Sequence, residues 1–169
     1  MNDKIKVAAV GAGYFSQFQY QGWRNMDDVR TVALANRSIA KGEALAAHYG
    51  VPKVYAHVEE MLDAEQPDLL DIITTPATYR EYIELAAARG ITVICQKPFG
   101  RSFGEAVELT EIAEKSGIKL IVHENFRWQP WYREAKRLIA KGQLGTLHSA
   151  AFRLRPGDGQ GPRAYLDRQ

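Results

Sequence analysis

The stretch Lys4-Ile5-Lys6-Val7-Ala8-Ala9-Val10-Gly11-Ala12-Gly13 decides how the rest of this chain is read. Its apolar run, Val7 to Val10, is short and uninterrupted, as expected of a strand buried on both faces. Gly11-Ala12-Gly13 follows at once, and a helical pattern then continues to about Met26. A Gly-x-Gly turn between a buried strand and a helix suits a dinucleotide. The first glycine permits the tight turn, and the second leaves room for a pyrophosphate to approach the backbone amides at the helix start. Ser16 occupies the third position of this fingerprint instead of Gly or Ala, so helix and strand are expected to lie slightly farther apart. Such a turn alone is weak, and its weight comes from the β-α-β pattern around it. Gly11 and Gly13, with Tyr14 and Phe15 directly after them, are the first cofactor-binding candidates.

The alternation continues along the chain. Arg30 to Ala35 (RTVALA) reads as a second strand, and Ser38 is a good N-cap for a helix ending near Tyr49, with Gly50 beyond it. Lys53 to Tyr55 is a short third strand, and His57 to Ala64 a short helix. Asp68 to Thr74 (DLLDIIT) is a fourth strand, and Pro76 stands where proline favours a first helical turn. The helix after it carries Tyr79, Ile83, Ala86 and Ala87 on one face and stops at Gly90. Ile91 to Cys95 is the fifth strand, Ser102 and Glu105 make a capping box for a helix ending near Gly117, and Lys119 to Val122 is the sixth strand. Continuous apolar strands alternating with helices predict an α/β fold with a doubly wound parallel sheet.

After Val122 the rhythm changes. Pro130 opens a helix with Trp131, Ala135, Leu138 and Ile139 on one face, ended by Gly142. Thr146 to Arg155 alternates like a strand, and Pro156 to Pro162 reads as a loop. The expected organisation is a dinucleotide-binding domain at 1–122, then a connecting helix, a strand and the truncated start of a second α/β domain at 123–169. Arg153-Leu154-Arg155 reads as an edge strand, so self-association into a homo-oligomer is plausible.

Composition narrows the function. The 169 residues are 46% hydrophobic and 25% charged, as in an ordinary globular protein, with a formal net charge of only +2. No long run of one sign points to nucleic acid or an anionic membrane surface. Cys95 is the single cysteine, which excludes an internal disulfide, and no histidines have metal-ligand spacing, so no metal is expected. The apolar run after Asp3, Lys4 and Lys6 is too short for a signal-peptide core, and no apolar stretch is long enough to span a membrane. A cytoplasmic location is expected. No Gly-x-Ser-x-Gly elbow supports an acyl-transfer hydrolase.

The chemistry-bearing residues gather at predicted strand ends. Asn36-Arg37-Ser38 ends the second strand, where an NAD-selective site usually has an acid and where an Arg can instead hold a 2′-phosphate. Asn36 removes the carboxylate that would repel that phosphate, which gives a slight lean to NADP over NAD. Arg37 could equally stack on the adenine of NAD. Thr74-Thr75-Pro76 ends the fourth strand, placed to line the nicotinamide ribose. Cys95-Gln96-Lys97-Pro98 ends the fifth, and Lys97 is the candidate catalytic residue, an ammonium suited to general acid–base work. Gln96 and Lys97 also count as cofactor-binding candidates. His123-Glu124, Asn125 and Arg127 follow the sixth strand, with Asn125 and Arg127 the substrate-binding candidates.

In order, Val10-Gly11-Ala12-Gly13, Ala35-Asn36-Arg37, Thr74-Thr75-Pro76, Cys95-Gln96-Lys97-Pro98, Asn125-Phe126-Arg127-x-x-Pro130 and Lys141-Gly142-Gln143-Leu144-Gly145 resemble one family. They look like the amino-terminal Rossmann half of the glucose-fructose oxidoreductase, inositol dehydrogenase and MocA-like oxidoreductases. The resemblance runs from about Lys4 to Arg155. It implies oxidation or reduction of sugars and polyols with NAD or NADP, and it puts the lysine of a Glu-Lys-Pro motif, beside nicotinamide and substrate, on Lys97. Gln96 departs from the usual glutamate, and Tyr79 stands where many members have a histidine. The family's substrate domain, with its aspartate and histidine for proton transfer, is not matched here. A stand-alone or truncated NAD(P)-binding module without catalytic activity is the alternative expectation, and a cofactor-free interaction scaffold a third.

Overall fold

The computed structural model describes residues 4–153. Strands β1 (Ile5–Val10), β2 (Val29–Ala35), β3 (Val54–Tyr55), β4 (Leu69–Ile72), β5 (Thr92–Cys95) and β6 (Leu120–Val122) form one sheet in the order β3-β2-β1-β4-β5-β6. Every neighbouring pair is parallel. The strand order reverses between β1 and β4, the arrangement of the dinucleotide-binding α/β sheets, so the α/β doubly wound expectation holds.

Helices α1 (Ser16–Arg24), α2 (Ile39–Tyr49), α3 (Val58–Glu65), α4 (Tyr79–Ala87) and α5 (Phe103–Ser116) connect the strands. They cover both faces because β1 points alternate residues to opposite sides. Ala8 and Val10 pack with Leu70, Ile72, Met61, Ile83 and Leu109 on one face. Ala9 packs with Tyr20, Leu34, Ala46 and Ile73 on the other, where Tyr20 and Tyr49 stack at 5.7 Å. A register shift between Val7 and Ala8 marks an irregularity in the β1–β2 pairing.

Helix ends follow local chemistry, with two differences from expectation. Ser38 stands at the start of α2, but its side chain makes no capping hydrogen bond. The Ser102 hydroxyl does accept from the Glu105 amide at 3.2 Å. The Glu105 carboxylate, however, reaches the Arg101 amide and guanidinium, so the box closes one residue early. Pro76 opens a 3-10 turn, Pro76–Thr78, from which α4 continues.

The chain separates into two compact units, one ending at Glu124 and one beginning at Asn125. In the second, a 3-10 turn at Phe126–Trp128 leads into α6 (Pro130–Ala140). Thr146 to Arg153 forms no strand, contrary to the alternating pattern. Alternation favours a half-buried strand only where a neighbour takes up the backbone hydrogen bonds, and no strand pairs with this segment among the described residues. Leu154, Arg155 and the Pro156 to Pro162 loop lie outside the described residues, so the edge strand expected at Arg153-Leu154-Arg155 is only partly covered. No helix among the described residues is long and apolar enough to cross a membrane.

One core residue is a carboxyl. Asp71 of β4 is 1% exposed and accepts a 2.8 Å hydrogen bond from the Trp23 indole. Burial pushes its pKa up to about 7, against the smaller opposing effect of the Trp23 bond. A carboxyl raised in the folded state keeps its proton after the unfolded chain has lost it. Stability is therefore full below the unfolded pKa of about 4 and falls as pH rises toward 7, by an amount on the order of 4 kcal/mol. In urea titrations from pH 4 to pH 7, the wild type should lose stability relative to Asp71→Asn. Parallel curves for the two proteins would contradict the raised pKa.

Candidate functional site

The carboxyl ends of five strands line up at one level. Val10 pairs with both Ala35 and Ile72, Ile72 with Cys95, and Cys95 with Val122. The next residue of each strand continues this row through its backbone. Gly11 N–H donates to Ala35 O at 2.9 Å and Ile73 N–H to Val10 O at 2.9 Å. Gln96 N–H donates to Ile72 O at 3.0 Å and His123 N–H to Cys95 O at 2.8 Å. Gly11, Asn36, Ile73, Gln96 and His123 thus form one row, with Thr74 directly after Ile73, on the side where open α/β sheets bind ligands.

Gly11 has φ +115°, and a Cβ added there would stand 2.6 Å from Ile73 O. Only glycine fits this approach between β1 and β4. Gly13 differs, since a Cβ there would meet nothing within 4 Å. The exposed, open backbone at Gly13, at the start of α1, has the room that a pyrophosphate needs. Ser16 is fully buried, and its hydroxyl donates to Gly13 O at 2.6 Å, so the departure from glycine is absorbed by a local hydrogen bond. Tyr14, Phe15 and Phe18 pack as an aromatic cluster with ring centroids 5.6–6.0 Å apart.

At the end of β2, Asn36 braces this turn. Its Oδ1 accepts the Ala12 amide at 3.0 Å, and its Nδ2 donates to Ser38 O at 2.7 Å. Arg37 is exposed, and its charge acts on the half-buried Tyr82 of α4, partly offsetting the upward push of burial and of Glu81 on that phenol. Thr74 and Thr78 hydroxyls lie 2.7 Å apart, and the Tyr79 hydroxyl donates to Thr74 O at 3.3 Å. These bonds hold Thr74-Thr75-Pro76 at the mouth of the sheet.

Lys97 is half-buried, with Nζ 5.5 Å from the centre of the Phe15 ring. It therefore reaches from the β5 end toward the start of α1. Its backbone N–H donates to Gln96 Oε1 at 3.1 Å. Gln96 Nε2 and Gln19 Nε2 each lie 3.2 Å from His123 Nδ1. Burial holds the His123 pKa below its ordinary value. Cys95 is buried, and its thiol is pushed up to about 12 by that burial and then by the Asp71 charge. It is a core group, not a reactive thiol.

The structure gathers Gly11, Gly13, Asn36, Thr74, Gln96 and Lys97 at one end of the sheet, in the first unit. Asn125 and Arg127 belong to the second, where Arg127 lies 5.0 Å over the Trp128 ring. Sequence reasoning did not single out Gln19 or Tyr82. Gln19 had a signal, since Ser16, Gln19, Tyr20 and Trp23 fall on one helical face of α1 and make it unusually polar for an inner face.

The span that carries this edge has known relatives. The model of the GFO/IDH/MocA oxidoreductase family, an oxidoreductase family with an NAD-binding Rossmann fold, covers residues 5–124. The chain belongs to that family. It is 38% identical over 143 residues to a D-apiose dehydrogenase of Paraburkholderia graminis, across 85% of this chain and 38% of the relative. A D-apiose dehydrogenase of Rhizobium rhizogenes is 30% identical over 154 residues, across 91% of this chain and 45% of the relative. Among solved structures, an oxidoreductase of Agrobacterium radiobacter in complex with NAD+, L-tartaric acid and magnesium superposes with a TM-score of 0.81 at 30% identity, covering 85% of this chain and 42% of that one. The chain thus spans about two fifths of the length of the relatives it matches.

Replacing Gly11 by Ala should destabilise the fold by roughly 2 kcal/mol or more, because the added carbon meets a backbone oxygen and the residue must keep a positive φ. Chemical denaturation checks this, and a Gly11→Ala protein as stable as the wild type would contradict the close approach.

Proposed function

We propose that this chain binds a nicotinamide dinucleotide across the β1–β4 switch point, and that it is part of a sugar or polyol dehydrogenase. The observation that carries the reading is the shared edge, on which the glycine turn, Asn36, Thr74 and Lys97 stand together. The pyrophosphate would lie over Gly11 and Gly13 at the start of α1, near Tyr14 and Phe15. Asn36 and Arg37 would take the adenosine ribose, and Thr74, Thr75 and Pro76 the nicotinamide ribose. Gln96 and Lys97 would flank the nicotinamide. When bound, that ring supplies the hydride chemistry.

The chain's own residues do the rest. Lys97 is the catalytic residue in this reading, exchanging a proton with the substrate oxygen whose carbon changes oxidation state. Its contact with Phe15 limits where the ammonium can swing. Asn125 and Arg127 would contribute to substrate binding, and the D-apiose dehydrogenase relatives support a sugar as substrate. Asn36 carries no charge to repel a 2′-phosphate and Arg37 is an exposed cation, which together favour NADP slightly over NAD. A cytoplasmic location and a homo-oligomeric state belong to the same proposal.

A second reading, a dinucleotide-binding module without turnover, draws support from one observation: every cofactor candidate lies in the first unit, and the two substrate candidates lie in the second. Assaying the chain for nicotinamide absorbance change with a sugar panel, beside Lys97→Ala, separates the two. Turnover lost in the variant supports the enzyme, and cofactor binding without turnover supports the module.

Gly13→Val should abolish nicotinamide dinucleotide binding in calorimetry while circular dichroism shows the fold retained, since the open space at Gly13 is where the pyrophosphate must come. Undiminished affinity in the folded variant would remove the assignment. Arg37→Ala should weaken NADP binding by about 1.5–3 kcal/mol and NAD binding much less. Equal losses would mean that Arg37 stacks on adenine, and the lean to NADP would fall.

A further inference from the structure

The contacts at the end of β6 point to a residue that acts on Lys97 without touching the reacting atoms. Gln96 Oε1 accepts the Lys97 backbone N–H at 3.1 Å, which fixes the orientation of the amide and turns Nε2 toward His123 Nδ1, 3.2 Å away. An amide nitrogen can only donate, so Nδ1 must offer a lone pair and the ring proton must sit on Nε2. The His123 backbone is anchored at the sheet edge by its N–H bond to Cys95 O at 2.8 Å.

Gln19 adds a second, independent observation. It is 93% buried on the inner face of α1 (7% exposed), with Nε2 also 3.2 Å from Nδ1 and with its Oε1 buried and unpartnered among the described residues. One lone pair serves two donors poorly, and a buried orphan oxygen is costly. A half-turn of the Gln19 amide would exchange the two atoms and present Oε1, an acceptor for a protonated Nδ1. The cluster can therefore hold the ring in either protonation state, but only the neutral ring can accept from Gln96.

We propose that His123 is the positioning residue of the Gln96–Lys97 edge: its bare Nδ1 accepts from Gln96 and thereby sets where Lys97 leaves the sheet, with Gln19 as the spare acceptor. The role of Lys97 in this inference rests on the proposed function, whereas the hydrogen-bond network does not. Two neutral amides face the ring, from α1 and from the β5 end. The charged and titratable groups along these elements are Tyr20 beside Gln19, Cys95 and Lys97 on either side of Gln96, Glu124 beside His123, and the buried Asp71, bonded to Trp23 one turn along α1 from Gln19. Burial favours the neutral ring.

The test uses the 169-residue chain, nitrogen-15 labelled, and NADPH and NADH as probes. Imidazole nitrogen shifts should show an unprotonated Nδ1 and a protonated Nε2 at neutral pH. In Gln96→Glu a carboxylate faces Nδ1 and favours the imidazolium, so the His123 titration midpoint should rise by about one pH unit or more. By cofactor fluorescence, His123→Leu should weaken the tighter-binding cofactor about threefold to tenfold. His123→Asn, whose Oδ1 can stand where Nδ1 stood, should restore most of that loss. A proton on Nδ1 in the wild type, a midpoint unmoved in Gln96→Glu, or Leu and Asn variants of equal affinity would each overturn the proposal. If the wild type binds neither cofactor, the proposed function fails, and the tautomer and titration measurements still decide the network.

Discussion

An L side chain at Gly11 would set its Cβ 2.6 Å from the Ile73 carbonyl oxygen, and the sheet edge is built around that approach. The Gly11 amide reaches sideways to Ala35 O on β2, and the Tyr20 hydroxyl of α1 lies 3.4 Å from Gly11 O. One residue with no side chain thus ties β2, β4 and α1 to the end of β1. Because β1 and β4 meet here while their connecting helices leave to opposite faces, the strand order reverses at this point. The open backbone at Gly13 is useful only because Gly11 has brought the turn so close to β4.

Two layers of different character meet at that reversal. The face built by α3, α4 and α5 is almost wholly aliphatic and aromatic, from Ala8 and Val10 out to Leu109. The face under α1 carries polar groups as well: Ser16, Gln19 and Asp71 are all buried there. Each polar group on that side leans on another, Ser16 on Gly13 O, Asp71 on the Trp23 indole and Gln19 on His123. Polar networks of this kind specify geometry more than they add stability, because each bond mainly offsets the desolvation of its own partners. Their place on the α1 face suits a region that must hold side chains in defined directions.

The strands and their parallel pairing were legible because buried parallel strands leave largely apolar runs, as in Val7 to Val10 and Ile91 to Cys95, whereas the strand order came only with the structure. Gly11 and Gly13 were legible as a turn, but their different duties, close contact for one and open space for the other, depend on where β4 ends. Local signals failed where a longer-range partner decides. Ser38 has the identity of a cap but makes no capping bond, and Thr146 to Arg153 has the alternation of a strand without a neighbour to pair with. The Gln19–His123–Gln96 cluster joins residues more than a hundred positions apart in its widest pair, so spacing along the chain holds no trace of it. It emerges only when β6 is laid beside β5 and the Gln19 side chain of α1 reaches His123.

The brace between Asn36 and Ala12 bears on how such a protein could change its cofactor. The side chain at position 36 holds the glycine turn, with its oxygen on the Ala12 amide and its nitrogen on the Ser38 carbonyl. An acid there would keep the first bond and set a carboxylate oxygen against that carbonyl, so a gain in ribose recognition under the proposed function would loosen the Gly11–Gly13 turn. Ser38 joins the brace through its backbone carbonyl alone, and Arg37 is exposed, so neither side chain bonds to the turn. Under the proposed function, a change of cofactor preference would meet less structural resistance at those two surface positions than at Asn36, whose side chain also braces the turn.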